Sequence, residues 1–259
     1  MKPIKCYSSL IGGCSNKQSY EHYVSQGLFK NKLITVEGQK WAEQPKTVGK
    51  AKIGLPILCT NHNKLLSPID VYGIKNFRIL EDCLIKQNER FNLPRSSFWK
   101  KDRYLIKAIE FEKWMIKVAI GVTFEDPKNK WHLENSELLN PPREIVEALF
   151  GVRKLRNPMG LYGIFAPNDT LEIEDRIGLT TLLHPQTNRY IGSVVNFRHF
   201  HFLIYLTDEK VSEYNFISPS GIRFGKDFTL PLYHPLHFQF NAKGKISAFV
   251  DFDWTDKTF

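Results

Sequence analysis

Three cysteines and one histidine near the start of the chain constrain its fold more than any other feature. Cys6 and Cys14 precede a second pair, Cys59 and His62, which has the spacing C-x-x-H. Two such pairs supply the four soft or borderline ligands that tetrahedral zinc takes in a closed structural site. The gap in the first pair is long, so Gly12-Gly13 must turn the chain back to bring the thiolates together. We therefore predict a structural Zn²⁺ at these four residues.

The four cysteines of the chain would also suit two disulfides. In a reducing compartment, however, thiols that occur together with histidine are more often metal ligands than bridges. The first five residues lack the apolar run of a signal peptide, and no stretch approaches the ~18 consecutive apolar residues of a membrane helix. We expect a soluble, cytoplasmic chain without a membrane partner, in which Cys83 is an ordinary buried thiol.

Positive charge is concentrated in the segment that carries the metal-ligand pattern. Residues 1–75 contain eleven lysines, no arginine and four acidic residues, so they hold +7 of the net charge of +9. A concentrated positive field raises the local concentration of polyanions and makes their binding depend on salt. This points to nucleic acid as a partner, with an ordinary solvated lysine surface as the alternative.

The first 75 residues also carry the signals of two strands and a helix. Short apolar runs alternate with turn-forming residues over 4–60. The runs 33–36 and 57–59 predict two β-strands, joined by a long loop that includes the lysine-rich stretch 40–52. A helix is predicted to begin near Thr60, with Thr60 or Asn61 as its N-cap. Pro68 then ends that helix or starts the next turn.

The remaining chain divides by the spacing of its apolar residues. From about 69 to 155 they recur every three or four positions, which predicts amphipathic helices. Beyond Pro158 they fall in short alternating segments, which predicts an antiparallel sheet. These segments are 161–165, 171–173, 178–183, 190–197, 201–206, 236–240 and 246–252. We predict an α+β chain with three regions, 1–75, 76–155 and 156–259.

Taken together, Cys6, Cys14, the Glu21-His22 dyad and residues 58–63 resemble the HNH, or ββα-metal (His-Me finger), endonuclease family. The resemblance covers about residues 4–70. It implies an N-terminal zinc-stapled ββα-metal finger, followed here by the helical middle and the C-terminal antiparallel β-rich region. It also implies hydrolysis of phosphodiester bonds with Mg²⁺ or Mn²⁺, in a mobile element or in phage defence.

The resemblance assigns a role to each matching residue. Glu21 is a ligand of the catalytic metal ion in place of the commoner Asp, His22 is the general base, and Asn63 is the second ligand of that ion. His62 replaces the usual fourth cysteine of the zinc site. The family's orienting Asn has no match, and Gly54 lies roughly where it should be. Another group or a backbone carbonyl must then orient the base, or activity is weakened or absent.

Three functional hypotheses follow from this pattern. The first is an HNH-type endonuclease that cuts double-stranded DNA, with RNA as the alternative substrate, and contacts phosphates through Lys46, Lys50, Lys52 and Lys64. The second is a zinc-finger module that binds nucleic acid without cutting it. The third is a basic lobe that docks an acidic protein. A protein partner could also bind through residues 76–259.

Overall fold

The structure is a computed structural model, and within its described residues the chain forms three α-helices and sixteen β-strands. The described residues are 5–125, 131–133, 136–138, 140–164, 175–184, 187–197, 200–208, 216–217, 223–224 and 232–255. The helices are α1 (Thr60–Asn92), α2 (Ala108–Glu125) and α3 (Arg143–Leu149). None of the described helices is long and apolar enough to span a membrane.

The strands are numbered in chain order. They are β1 (Gln18–Glu21), β2 (Leu33–Glu37), β3 (Lys46–Gly49), β4 (Leu55–Cys59), β5 (Asp102–Lys107), β6 (Trp131–Leu133), β7 (Ser136–Leu138), β8 (Gly160–Ile164), β9 (Arg176–Leu183), β10 (Tyr190–Phe197), β11 (Phe200–Tyr205), β12 (Phe216–Ile217), β13 (Arg223–Phe224), β14 (Leu232–Tyr233), β15 (His237–Ala242) and β16 (Lys245–Asp253).

The N-terminal part is built on one antiparallel strand pair and the helix that follows it. β1 pairs with β4 in a two-stranded sheet, and α1 begins directly after β4. The strands predicted at 33–36 and 57–59 are confirmed as β2 and β4. The segment between them was predicted to be a loop, but it contains β3, which forms an antiparallel hairpin with β2. β2 also pairs with β9, so this hairpin adds two strands to the large C-terminal sheet.

Helix α1 differs from the predicted helix at its start and at its proline. Its N-cap is Cys59, whose sulfur accepts a hydrogen bond from the His62 backbone at 3.5 Å, so the prediction of Thr60 or Asn61 is wrong. Pro68 lies inside the helix, which continues to Asn92. A proline removes one backbone hydrogen bond, and the long buried face of α1 offsets that loss. The helix also runs through residue 75, where the first region was predicted to end.

The other described strands form three sheets, the smallest of which is the antiparallel pair β6–β7. Nine strands form the largest sheet, whose main path is β13-β12-β9-β10-β11-β8-β14, with β2 and β3 attached at β9. A three-stranded sheet has the order β15-β16-β5. Within the described residues, the strands beyond Pro158 pair antiparallel with one another, as predicted. Two of these strands also pair in parallel with earlier strands: β9 pairs with β2, and β16 pairs with β5. The predicted segment 171–173 lies outside the described residues.

Helix α2 is the centre of the core. Thirteen of its eighteen residues are buried, and it packs against α1, α3, β4 and the strands β8 to β11. The spacing of apolar residues predicted both α2 and α3, and both helices are confirmed. Two buried charged residues, Glu112 and Lys117, interrupt the apolar surface of α2.

Two helical glycines let aromatic side chains approach the helix backbones. A Cβ on Gly121 of α2 would overlap the Tyr23 side chain, and a Cβ on Gly73 of α1 would overlap the indole of Trp114. Tyr23 and Trp114 are both fully buried. These contacts hold the segment after β1 tightly against α2.

Replacing Gly121 by Ala tests this close contact. Alanine is the better helix former, but the overlap with Tyr23 must move a buried ring, so we expect the free energy of unfolding to fall by about 1–3 kcal/mol. Urea unfolding measures the loss. Gly49→Ala is the control because nothing lies within 4 Å of its added Cβ, and we expect it to change stability by less than about 0.5 kcal/mol. A Gly121→Ala variant as stable as the wild type would contradict this packing.

Candidate metal centre and active site

Four side chains meet between the N-terminal segment and the start of α1. His62 Nδ1 lies 3.3 Å from Cys6 Sγ, 3.6 Å from Cys14 Sγ and 3.2 Å from Cys59 Sγ. All four ligand atoms lie within 4.8 Å of one another. A tetrahedral zinc ion with ordinary Zn–S and Zn–N bonds separates sulfur from nitrogen by about 3.6 Å. The four residues could therefore hold a metal ion such as zinc.

The local backbone explains how distant residues reach one point. Gly12 and Gly13 have φ angles of +79° and +74°, a region that glycine enters without steric cost, and they turn the chain between the first two thiols. Cys59 ends β4, and His62 lies in the first turn of α1. The predicted turn at the two glycines is thus confirmed.

The thiols of the cluster differ in how readily they ionise. Burial opposes ionisation of Cys59, but backbone N–H groups of His62 and Ser15 point at its sulfur and lower the thiol pKa to about 6. Burial raises the pKa of Cys6 to about 12. Metal ligation requires thiolates, so a bound metal ion must displace protons from the less acidic thiols. Cys59 is the thiol that is ready to bind first.

His22 lies immediately after β1 with a half-buried ring. Burial lowers the pKa of the imidazole, the charge of Lys117 lowers it further, and a backbone hydrogen bond to Ala51 acts in the opposite direction. An amide nitrogen can only donate, so the ring nitrogen that faces Gln26 is the unprotonated one in the neutral form. That nitrogen, Nε2, lies 2.6 Å from Gln26 Nε2, which donates to it.

Gly54 lies beside His22, but the space there is closed to a longer side chain. A Cβ on Gly54 would lie 2.7 Å from the Glu21 carbonyl oxygen and 3.1 Å from His22 Cδ2. An asparagine could not enter without moving the chain. The ring is instead held by Gln26.

Asn63 lies one turn into α1 and faces β1. Its Nδ2 donates to Ser19 Oγ at 2.7 Å and to the Tyr20 carbonyl oxygen at 3.1 Å. Among the described residues, no hydrogen bond reaches its Oδ1. The side chain therefore ties the helix to β1 and leaves an amide oxygen available.

Glu21 is buried and faces a lysine. Its Oε1 lies 2.5 Å from Lys117 Nζ, at an angle that does not suit a hydrogen bond, and its side chain is 2% exposed. Burial raises the pKa of the Glu21 carboxyl to about 6, although Lys117 opposes this shift. The ammonium group stands where a divalent cation would have to approach Oε1. The carboxylate is thus the partner of Lys117, and its predicted role as a ligand of a catalytic metal ion does not fit this arrangement.

Lys117 links three elements through a buried cluster of charges. Besides Glu21 at the end of β1, it contacts Asp70 Oδ1 of α1 at 2.5 Å. Asp70 also accepts from Ser25, whose hydroxyl in turn accepts from Trp114 Nε1 at 2.8 Å. A buried ammonium between two carboxylates costs desolvation that only close pairing offsets. The cluster therefore fixes the segment 21–25 against both long helices.

The predicted phosphate contacts are at the surface. Lys46, Lys52 and Lys64 are exposed. Lys50 is half-buried and donates to the Phe29 carbonyl oxygen at 3.4 Å. Lys46 also lies over the ring of Trp41, 6.0 Å from its centroid. The three exposed ammonium groups are accessible to a polyanion.

Comparisons were made with protein-family models, with curated proteins and with solved structures. None of them matches this chain. The site is therefore interpreted from its own residues.

Sequence reasoning missed the residues that surround His22 and Glu21. Lys117 is the residue that the sequence could have revealed. It lies in the apolar run 114–120 of α2, where a buried charge requires a partner. No sequence pattern could have revealed Gln26 or the Ala51 carbonyl, because a single glutamine and a backbone carbonyl look like any other in a sequence. Asp70, which the sequence suggested as a cap or brace of the finger, belongs to the charge cluster.

Metal content tests the four-ligand cluster. Changing Cys14 to Ser removes an exposed ligand, so we expect the purified protein to lose most of its bound zinc, measured by mass spectrometry of the metal. Cys83→Ser is the control, because Cys83 is a buried thiol outside the cluster. About one zinc ion per chain in the wild type and the control, but not in Cys14→Ser, is the expected result. Equal zinc in all three proteins would contradict the assignment.

Replacing Lys117 by Met tests the charge cluster and its dependence on pH. It leaves Glu21 and Asp70 without their cation, so we expect a loss of about 3–5 kcal/mol in the free energy of unfolding at pH 7.5. The folded pKa of Glu21 is raised above 4.5, so its contribution to stability is highest below pH 4.5 and falls as the pH rises through 6. Without Lys117, the contribution of Glu21 to stability falls by more as the pH rises. The free energy of unfolding that Lys117→Met loses should therefore be smaller at pH 5.0 than at pH 7.5.

Urea unfolding at the two pH values measures both losses. Lys113→Met is the matched control on the same helix, because Lys113 pairs with Glu110 at the surface. We expect it to cost less than about 1 kcal/mol at either pH. A Lys117→Met loss that is equal at pH 5.0 and 7.5 would show that Glu21 is not paired with Lys117.

Proposed function

We propose that this protein is an HNH-type endonuclease that hydrolyses phosphodiester bonds in DNA or RNA, with His22 as its general base. A zinc ion at the four-ligand cluster would have a structural role. The observation that carries the proposal is the position of His22: a half-exposed imidazole directly after β1, held beside Gly54 at the start of β4. Residues 76–259 would support or restrict access to this site.

The surroundings of His22 suit a general base. A neutral imidazole accepts a proton from water near pH 7, provided that one ring nitrogen is unprotonated and within reach. The Gln26 amide fixes which nitrogen is unprotonated. A water molecule that replaces the amide there could give up its proton to Nε2 as its oxygen attacks phosphorus. The P–O bond to the leaving oxygen would then break, and that oxygen would take a proton from solvent.

The residues predicted to hold a catalytic Mg²⁺ or Mn²⁺ fit only in part. Asn63 Oδ1 is the kind of hard oxygen that these ions prefer. Glu21 does not fit, because its carboxylate is buried and paired with Lys117. No step of the proposed hydrolysis is therefore assigned to a divalent ion, and the chain's own contribution is to orient and deprotonate the attacking water.

The charge distribution supports a nucleic-acid substrate. The exposed Lys46, Lys52 and Lys64 belong to the segment that holds most of the net positive charge. Lysine neutralises phosphate charge without reading the bases, so this surface would position a strand rather than select its sequence. Salt should weaken the binding.

A second candidate function is a nucleic-acid-binding module that does not cut. The pairing of Glu21 with Lys117 favours it, because this pairing removes the carboxylate that the resemblance assigns to catalysis. The zinc cluster, Asn63 and the lysine surface would all remain useful to such a module. Docking of an acidic protein would use the same lysines without binding nucleic acid.

Cleavage of plasmid DNA and of a long RNA, with Mn²⁺ or Mg²⁺ added, tests the first candidate. Changing His22 to Ala removes the base, so we expect the rate to fall about 10²–10⁴-fold. The control is His237→Ala, because His237 is an exposed histidine on β15. It should cut as the wild type does, and both variants should retain wild-type metal content.

Each result of this experiment selects one reading. Cleavage that survives His22→Ala would exclude His22 as the base. A wild type that binds nucleic acid in a salt-dependent way but never cuts would favour the binding module. A wild type that does neither would leave the acidic-protein partner.

A further inference from the structure

The far end of α1 carries an exposed surface that mixes aromatic and basic side chains. We call it the tip surface, and its members are Phe91, Leu93, Arg95, Phe98, Lys100 and Lys101. Phe98 is 97% exposed and Phe91 59% exposed, unusual values for phenylalanine. Exposed apolar side chains that cluster, rather than scatter singly, indicate a binding surface.

The loop of the tip surface is held in place by the β15–β16 hairpin. Lys245 Nζ donates to the Arg95 carbonyl oxygen at 2.8 Å and lies 5.4 Å from the ring centroid of Phe98. Lys243 Nζ donates to the Leu93 carbonyl oxygen at 2.5 Å and lies 5.9 Å from the ring of Phe91. Each exposed ring thus has an ammonium group of the β15–β16 hairpin beside it.

The basic side chains of the tip surface are not used within the fold. Arg90, just inside it, pairs with Asp102 at 2.6 Å and donates to backbone carbonyls. Arg95, Lys100 and Lys101 are exposed and make no ion pair with any residue that the structure describes. Their charges are therefore available to an external anion.

We propose that the tip surface is a second nucleic-acid-binding site, which holds a single-stranded segment by stacking bases on Phe98 and Phe91 and by binding phosphates with its basic residues. Every nucleobase has a face that stacks on an aromatic ring, and a neighbouring cation reaches the phosphate of the same strand. The inference rests on the proposed action on nucleic acid, but it concerns residues remote from His22.

An anionic membrane is the other polyanion that such a surface could meet. Rings that enter a bilayer bury their faces at the headgroup–acyl boundary, while the cations lie on the opposite, polar face. Here Lys245 and Lys243 stand over the rings of Phe98 and Phe91 and are tied there by backbone hydrogen bonds. An ammonium over one face and an open opposite face suit a stacked base with its phosphate better than lipid.

Helix α1 sets the distance between the two sites. Asn63 and Phe91 are 28 residues apart on the same helix, a separation of about 42 Å at the rise of an α-helix. At 3.4 Å per base-pair step this corresponds to about 12 nucleotides of a helical strand. One nucleic-acid molecule must therefore continue well beyond the site of hydrolysis to touch both surfaces.

Direct binding tests the proposal. Fluorescence anisotropy of a labelled 20-nucleotide oligothymidine is measured with full-length wild type, Phe98→Ala and the double variant Lys100→Gln/Lys101→Gln, without added divalent metal. We expect each variant to bind about fivefold or more weakly. The double variant should also lower the slope of log affinity against log salt by about 0.7 per lost phosphate contact.

Matched controls remove the same groups elsewhere. Leu236→Ala removes another exposed apolar side chain, which is 73% exposed, and Lys154→Gln/Arg156→Gln removes two charges from another exposed segment. Both should bind as the wild type does. Phe98 contributes little to the core, so Phe98→Ala should keep the wild-type circular dichroism spectrum.

Two results would overturn the proposal. One is oligonucleotide binding that Phe98→Ala and the double lysine variant leave unchanged. The other is a wild type that ignores the oligonucleotide but binds vesicles containing phosphatidylserine, with loss of that binding in Phe98→Ala. Neither result depends on cleavage. A chain that binds at the tip surface but never cuts would instead contradict the nuclease proposal alone.

Discussion

The meeting of three thiols and one imidazole is the interaction on which the N-terminal part of the structure depends. The chain between Cys6 and Cys59 has a short strand, several turns and a hairpin that belongs to another sheet, so it has little core of its own. Ligation by one ion would join its start, the end of β4 and the start of α1 at a single point. Structural zinc sites supply folding free energy to small units of this kind. Such an ion would help to position the β1–β4 pair.

A second interaction connects this unit to the rest of the chain. Lys117 of α2 reaches Glu21 and Asp70, and Tyr23 packs against Gly121 of the same helix. The segment that carries His22 is thus fixed by a helix that also forms the core of the large sheet. This arrangement explains why a carboxylate next to the histidine faces inward. It gives Glu21 a role in positioning His22 and makes α2 part of the site.

The features predicted well from the sequence were those with a local chemical or periodic signal. The C-x-x-H pair and the two earlier cysteines predicted the ligand cluster, and apolar residues that recur every three or four positions predicted α2 and α3. The features that were missed depend on distant partners. Nothing local in β2 indicates that it pairs with β9, and the continuation of α1 past Pro68 depends on its packing. Lys117 was visible only as a charge in an apolar run, and its partners at positions 21 and 70 required the fold.

X-ray absorption at the zinc edge of the purified protein tests the metal centre most directly. The account predicts one zinc ion with three sulfur neighbours at about 2.3 Å and one nitrogen neighbour at about 2.0–2.1 Å. A first shell made only of oxygen and nitrogen, or a protein without zinc whose cysteines form disulfides, would contradict it.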